Sequence, residues 1–243
     1  DCLNYGNPES ETGMWELVEG IRGVKEAAEG IKLKGHDNPT PIISGNVSLY
    51  KPVAPSAIIS CLGKIEDVSL AITQKFKQAG SRIILVGKRR NELGGSEFYR
   101  NLLSVIPAEA GIPTRNNTQG TQVDAVIGGT YDEDNKLLGA NIPKADFKEA
   151  EKQIYTLTDL IAQEKILAAH DISEGGLAAC LAEMCMPHQK TPQADISIKV
   201  DISNIKNELE DYQTLFSETP GFVLEVSDKY VNEVVEVFKD NEV

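Results

Sequence analysis

The sequence predicts an α/β (α+β) fold in which a strand-rich first part gives way, near residue 66, to repeated helix–strand units. Three observations carry that prediction. Apolar residues at three- and four-residue steps mark a long first helix. Short apolar runs, one of them closed by glycine, mark buried strands. Strand and helix patterns intermix along the chain instead of segregating. With 243 residues, 41% of them hydrophobic, the chain suits one or two domains with cores of their own.

The elements follow in order. Met14, Leu17, Val18, Ile21, Val24, Ala28 and Ile31 define the first helix, with Thr12 as its expected N-cap. The polar stretch Lys34–Thr40 is a loop, and the apolar run Pro41-Ile42-Ile43 opens into Ser44-Gly45-Asn46-Val47-Ser48-Leu49-Tyr50. A strand is expected from Ala57 to Ile65, then a helix over 68–78 and the buried strand Arg82–Val86 before Gly87. Further on come a strand at Val123–Ile127, a helix over 145–163, a strand at Ile166–Ala169 and a helix at Gly176–Met184. The alternation in Ile196-Ser197-Ile198-Lys199-Val200 is that of a half-buried strand. Helix 208–216, strand Phe222–Val226 and helix Lys229–Lys239 complete the reading.

Composition excludes several classes. A formal net charge of -13 lacks the basic footprint of a general nucleic-acid binder. It leaves room for an anionic substrate, because Mg²⁺ and local backbone donors can outweigh the global charge. No apolar run reaches the roughly 18 residues that a membrane span needs. The four cysteines, Cys2, Cys61, Cys180 and Cys185, lack a metal-type spacing. Cys180 and Cys185 lie in an apolar stretch and read as buried, reduced thiols, which fits a cytoplasmic protein. The start at Asp1-Cys2-Leu3-Asn4, with neither a methionine nor a signal sequence, reads as the interior of a longer protein.

Three clusters can carry chemistry. In Asp1-Cys2-Leu3-Asn4-Tyr5-Gly6-Asn7-Pro8-Glu9 and in Ser44–Tyr50, small and amide-bearing residues gather beside an apolar strand. Glycine there admits close backbone approach, and an Asn carbonyl is a hard oxygen donor for Mg²⁺. An ordinary polar turn fits the same residues. In His170-Asp171-Ile172-Ser173-Glu174-Gly175-Gly176-Leu177, exposed N–H groups at a helix start suit a phosphate, and a turn capped by Ser173 suits them too. His170 fits a general base or a packed side chain, and the three histidines are not spaced as a metal site. For Leu93-Gly94-Gly95-Ser96-Glu97, helix capping is the better of two readings, phosphate contact being the other.

Taken in this order, and followed by Leu215-Phe216-Ser217-Glu218, these clusters resemble the phosphoribosylformylglycinamidine synthase family over nearly the whole chain. The first two motifs are specific to that family; the later ones are shared with the wider aminoimidazole ribonucleotide synthetase superfamily. The resemblance implies part of a second N-type, mixed-sheet domain over 1–66 and a C-type domain over 67–243. It implies an ATP-dependent ligase that phosphorylates the amide oxygen of formylglycinamide ribonucleotide before ammonia displaces phosphate. Carried over by motif, Asp1 and Gly45 contact ATP, Asn46 binds Mg²⁺ and Ser48 contacts the substrate; no catalytic residue falls in this chain. The implied partners are the N-terminal half of the same enzyme, a glutaminase subunit or domain and a small-molecule nucleotide, with neither nucleic acid nor membrane. Alone, the chain is expected to lack synthase activity, and its partial first domain to self-associate. It departs from the pattern at three places. Lys34–Thr40 looks inserted, Lys51 replaces a polar or acidic residue, and Pro220-Gly221-Phe222 lacks an arginine. The C-type domain is then a structural or auxiliary-nucleotide half. The other readings are a non-catalytic interaction module, or a separate kinase or synthetase of the superfamily.

Overall fold

The computed structural model describes residues 1–49, 55–105, 141–186, 196–205 and 208–243. The chain divides into two compact units, the first comprising Asp1–Ser69 with Asp146–Glu151, the second Leu70–Ala145 with Lys152–Val243. The strand expected at Val123–Ile127 lies outside the described residues.

The first unit holds β1 (Cys2–Tyr5), α1 (Glu11–Gly30), β2 (Asn46–Leu49) and β3 (Ser56–Ile58). Its sheet runs β2-β1-β3, with β1 parallel to β2 and antiparallel to β3. Alternation in β1 buries Leu3 and Tyr5 and leaves Cys2 and Asn4 on the opposite face. Helix α1 is capped by Ser10, not Thr12. Ser10 has extended backbone, and its hydroxyl accepts from Gly13 N at 3.0 Å. The helix stands where the periodicity places it, yet Met14, Val18 and Ile21 of its apolar stripe are exposed, as is Trp15 at 64%. The strand expected over Ala57–Ile65 is confined to Ser56–Ile58.

The second unit is a three-layer sandwich. Its antiparallel sheet runs β4 (Arg82–Val86), β6 (Phe222–Val226), β5 (Ile166–Asp171). Helix α4 (Gly176–Cys185) covers one face through Leu177, Cys180, Leu181 and Met184, which meet Val223, Ala168 and Phe76. Two helices cover the other: α3 (Phe147–Ala162) through Leu157 and Leu160, and α6 (Val231–Asp240) through Val234 and Phe238. The central strand β6 is therefore buried on both sides, and it reads as a continuous apolar run save for Glu225. Glu225, at 0% exposure, accepts from Lys77 N at 2.7 Å, Gln78 N at 3.1 Å and Ser81 Oγ at 2.7 Å.

That carboxylate explains one correction. The helix expected over 68–78 is reduced to a single 3₁₀ turn at Val68–Leu70. Beyond it the N–H groups of Lys77 and Gln78 go to Glu225 and that of Phe76 goes to Met184 O at 3.1 Å, so tertiary bonds replace helical ones. The strand expected at Ile196–Val200 is a second correction. It joins no ladder among the described residues, although Ile196 and Ile198 pack on the α4 side of the core as the alternation requires.

Candidate functional site

In the first unit, β1 and β2 bring the two distant motifs side by side. Cys2 stands opposite Asn46 and Asn4 opposite Ser48, joining residues some forty positions apart in sequence. The ladder extends one step further, Asp1 N donating to Ser44 O at 2.9 Å and Asn46 N to Asp1 O at 3.2 Å. Gly45 lies directly against the Asp1 carboxylate. A Cβ on Gly45 would fall 1.6 Å from Asp1 Oδ1, so any side chain there would push the Asp1 carboxylate aside. Asn46 Nδ2 donates to Ser48 Oγ at 3.3 Å, which engages the amide nitrogen and turns the carbonyl oxygen to other partners. Asp1 and Gly45 thus meet at the start of the two parallel strands, one step before Asn46 and Ser48, which share a face of the sheet.

The donor set there is an Asp carboxylate, an Asn carbonyl and a Ser hydroxyl, all hard oxygens. They fit Mg²⁺ as a partial shell, since that ion takes about six oxygens and fills most positions with water and phosphate. Among the described residues no group of three or more His, Cys, Asp or Glu side chains is placed to hold a metal by itself.

The other motifs meet in the second unit. Helices α2 (Glu97–Val105) and α4 start close together, and one carboxylate serves both. Glu218 Oε1 accepts from Glu97 N at 2.8 Å and from Gly175 N at 2.9 Å. Two helix N-termini thus receive an anion from within the chain. The phosphate reading of Ser173–Gly176 is displaced by that internal carboxylate. Ser173 is not the side-chain cap; Gly175, at φ 78°, holds the N-cap position, and Ser173 contributes its carbonyl to Gly176 N at 3.0 Å. For Leu93–Glu97 capping prevails, with Ser96 Oγ accepting from Tyr99 N at 3.4 Å.

The Glu218 segment is itself braced. Arg89, 5% exposed, donates to Thr219 O at 2.6 Å and also to Ser217 O. Burial lowers its pKa to about 10, which leaves it a cation at neutral pH. Thr219 Oγ1 donates to Glu92 Oε2 at 2.8 Å. Phe98 of α2 stacks on Phe216, with centroids 5.0 Å apart, and on Tyr212, both in α5 (Asp211–Phe216).

His170 is a packed residue in this setting. Its Nδ1 lies 3.2 Å from Asp171 Oδ1 and its Nε2 3.0 Å from Glu183 Oε2, so both ring nitrogens face carboxylates of the same unit. His36 is exposed in the Lys34–Thr40 loop.

Sequence reasoning placed Asn4 in the first motif without a role of its own, and it overlooked Ser56, which shares the Asn4 face of the first sheet, and Arg89 in the second unit. The two-residue alternation of Cys2-Leu3-Asn4-Tyr5 was the available signal for Asn4. Nothing local marks Arg89, whose partners lie about 130 residues away.

Residues 112–243 match the family described as AIR synthase related protein, C-terminal domain. The chain is 40% identical to the phosphoribosylformylglycinamidine synthase subunit PurL of Methanothrix thermoacetophila, over 98% of this chain and 27% of that protein. It is 30% identical to the subunit of the same name from a Thermoanaerobacter species, with the same coverage of 98% and 27%. The chain thus spans about a quarter of the length of these relatives. Among solved structures, Thermotoga maritima PurL complexed with FGAR superposes with a TM-score of 0.54 at 12% identity, covering 99% of this chain and 33% of that one. The ADP complex of the same protein gives 0.50 at 10% identity, covering 99% and 31%. At such identities these likenesses speak for the fold alone, an α+β arrangement of helices and small mixed and antiparallel sheets.

Proposed function

The chain belongs to the family of AIR synthase related proteins, and from that premise we propose that it supplies one part of a composite Mg²⁺·ATP site in an ATP-dependent ligase. The ligase is the one that converts formylglycinamide ribonucleotide to its amidine in purine biosynthesis, and this chain is a fragment of its second half. The single observation that carries the proposal is the junction of β1 and β2. There Gly45 is held against the Asp1 carboxylate and Asn46 is bonded to Ser48.

Each residue has a role that its chemistry allows. Asp1 and Gly45 contact ATP, Gly45 by letting the nucleotide and the Asp1 carboxylate approach the backbone. Asn46 offers its carbonyl oxygen to Mg²⁺, and Ser48 offers its hydroxyl to the substrate. When bound, Mg²⁺ supplies charge neutralisation on the transferred phosphate. The two or three oxygens present here are too few to hold the ion alone. The remaining ligands and the catalytic groups come from the rest of the enzyme, so the fragment alone is inactive. The N-type and C-type halves divide near residue 66, and a glutaminase partner and a cytoplasmic setting complete the proposal. Among the described residues no helix is long and apolar enough to cross a membrane.

Calorimetric titration with ATP, with and without Mg²⁺, tests this reading against an Asn46→Ala control. Mg²⁺-dependent binding that the substitution weakens supports it. Absence of binding to the fragment, persisting when the remaining part of the enzyme is added, overturns it in favour of a non-catalytic interaction module.

A further inference from the structure

The sheet of the first unit carries a polar row beyond the four residues already assigned. Register places Ser48 opposite Asn4 and Asn4 opposite Ser56, so three polar side chains line up across the three strands. They share the face opposite buried Leu3 and Tyr5. The next row on that face is Asn46, Cys2 and Ile58. Strands are spaced by about 4.8 Å, so the row from Ser48 to Ser56 extends roughly 10 Å.

The strands themselves carry no charge. None of the strand residues in Cys2–Tyr5, Asn46–Leu49 or Ser56–Ile58 is ionic. The carboxylate of Asp1 lies at the Asn46 end, where Asn46 N bonds to Asp1 O. A phosphate on the Asn4 row would find no cation on the sheet, whereas an amide or hydroxyl would find donors and acceptors of its own kind. Asn4 is suited to the first. Its carboxamide presents one acceptor and two donors, and its contact within the sheet is the weak one with Cys2 Sγ, 3.7 Å from Nδ2 and 3.9 Å from Oδ1.

We infer that Asn4 is a substrate-binding residue whose carboxamide pairs with a neutral amide or hydroxyl group of the nucleotide that contacts Ser48. The inference rests on the proposed substrate role of Ser48 and adds the group that reads the uncharged part of that molecule. Asn46 and Asp1 serve the metal and nucleotide end. Asn4 serves the amide end, one strand over and one row along.

Nuclear magnetic resonance of the whole chain tests it, because side-chain amide signals report weak binding that kinetics misses. Formylglycinamide ribonucleotide at millimolar concentration is expected to move the Asn4 side-chain amide and the Ser48 backbone amide together. Asn4→Ala is expected to weaken that binding about 3- to 10-fold, the loss of a neutral hydrogen bond, and to leave the response to Mg·ATP in place. Unshifted backbone signals along α1, away from the substituted strand, certify the fold. If Ser48 responds and Asn4 stays silent, or if Asn4→Ala binds as the parent does, the inference fails and the Ser48 assignment stands. If neither residue responds, and this persists when the remaining part of the enzyme is added, the substrate role of Ser48 and the inference fall together, whatever Mg·ATP does at Asn46.

Discussion

Glu218 accepts a hydrogen bond from the backbone N–H of Gly175 at 2.9 Å, across 43 residues of sequence. The same oxygen accepts from Glu97 N at 2.8 Å. One side chain therefore ties together the three glycine-bearing or acidic motifs of the second unit and neutralises two helix N-termini. Charge-assisted bonds to backbone N–H groups contribute about 1.5–3 kcal/mol each. Glu218→Ala is expected to destabilise the unit by about 2–4 kcal/mol, partial exposure keeping the figure below the sum. Glu218→Gln, which keeps an acceptor oxygen, is expected to lose about half as much. Urea unfolding followed by far-ultraviolet circular dichroism measures both. Equal midpoints for parent and Glu218→Ala would refute the bracing role.

Gly176 sets a second constraint on the same corner. Its φ is 68°, and a Cβ there would stand 2.7 Å from Ser217 O and 2.8 Å from Leu215 O. Those carbonyls are backbone, and Ser217 O is also held by Arg89. Gly176→Ala therefore adds a steric clash to a left-handed backbone cost of about 1–2 kcal/mol. A total near 3 kcal/mol is expected, read as a lowered urea midpoint at unchanged slope.

Much of the second unit was legible in the sequence, and the reason is physical. Strands β4 and β6 and helices α3, α4 and α6 bury their apolar residues in the layers that periodicity implies. The failures lie where a distant partner decides. Segment 68–78 carries helical spacing, but beyond Leu70 it is drawn out by Glu225, whose partners are about 145 residues away. Ser173 has the chemistry of a cap, yet Glu218 fills that place from a separate loop. In the first unit the motifs were visible one by one. The parallel pairing that puts Cys2 beside Asn46, and with it Gly45 against Asp1, was not written in either motif alone.

The Gly45 contact gives a prediction for binding. Gly45→Ala puts a methyl group where Asp1 Oδ1 now lies, 1.6 Å from the Cβ position. The Asp1 side chain can swing aside, so folding should be little affected, while the paired geometry of Asp1 and Asn46 is lost. In the assembled enzyme the Mg²⁺ concentration needed for half-maximal ATP binding is expected to rise about tenfold, the factor that 1.4 kcal/mol represents. Calorimetry at graded Mg²⁺ measures it, and an unchanged requirement would remove Gly45 and Asp1 from the site.

All four cysteines are free thiols, and their surroundings differ. Burial, followed by the nearby Asp171 and Glu183 carboxylates, pushes the Cys180 thiol up to about 12. Cys61 is exposed. At neutral pH a thiol reagent is expected to label Cys61 in the folded protein and Cys180 only after unfolding. The pH dependence follows in sign. The folded pKa lies above the unfolded value of 9.0, so this contribution to stability is complete below pH 9.0 and is lost as pH rises toward about 12. Cys180→Ala should flatten that alkaline decline; a decline of the same slope in parent and variant would assign it to other groups.

The first unit should associate with itself. Among the described residues strands β2 and β3 form the two edges of its sheet, and Val47, Leu49 and Ile58 on them are exposed. Helix α1 adds Met14, Trp15, Val18 and Ile21, all exposed on its surface. Open edges beside apolar side chains are templates for pairing with another chain. Sedimentation velocity is expected to show concentration-dependent dimers or larger species. Val47→Lys puts a charge on the β2 edge, and Trp15→Lys removes the largest exposed apolar side chain of α1. Together they should shift the population toward monomer without altering the second unit. A parent chain that stays monomeric at high concentration would show that these exposed residues do not suffice for a stable contact, which requires about 1,200 Å² of buried surface.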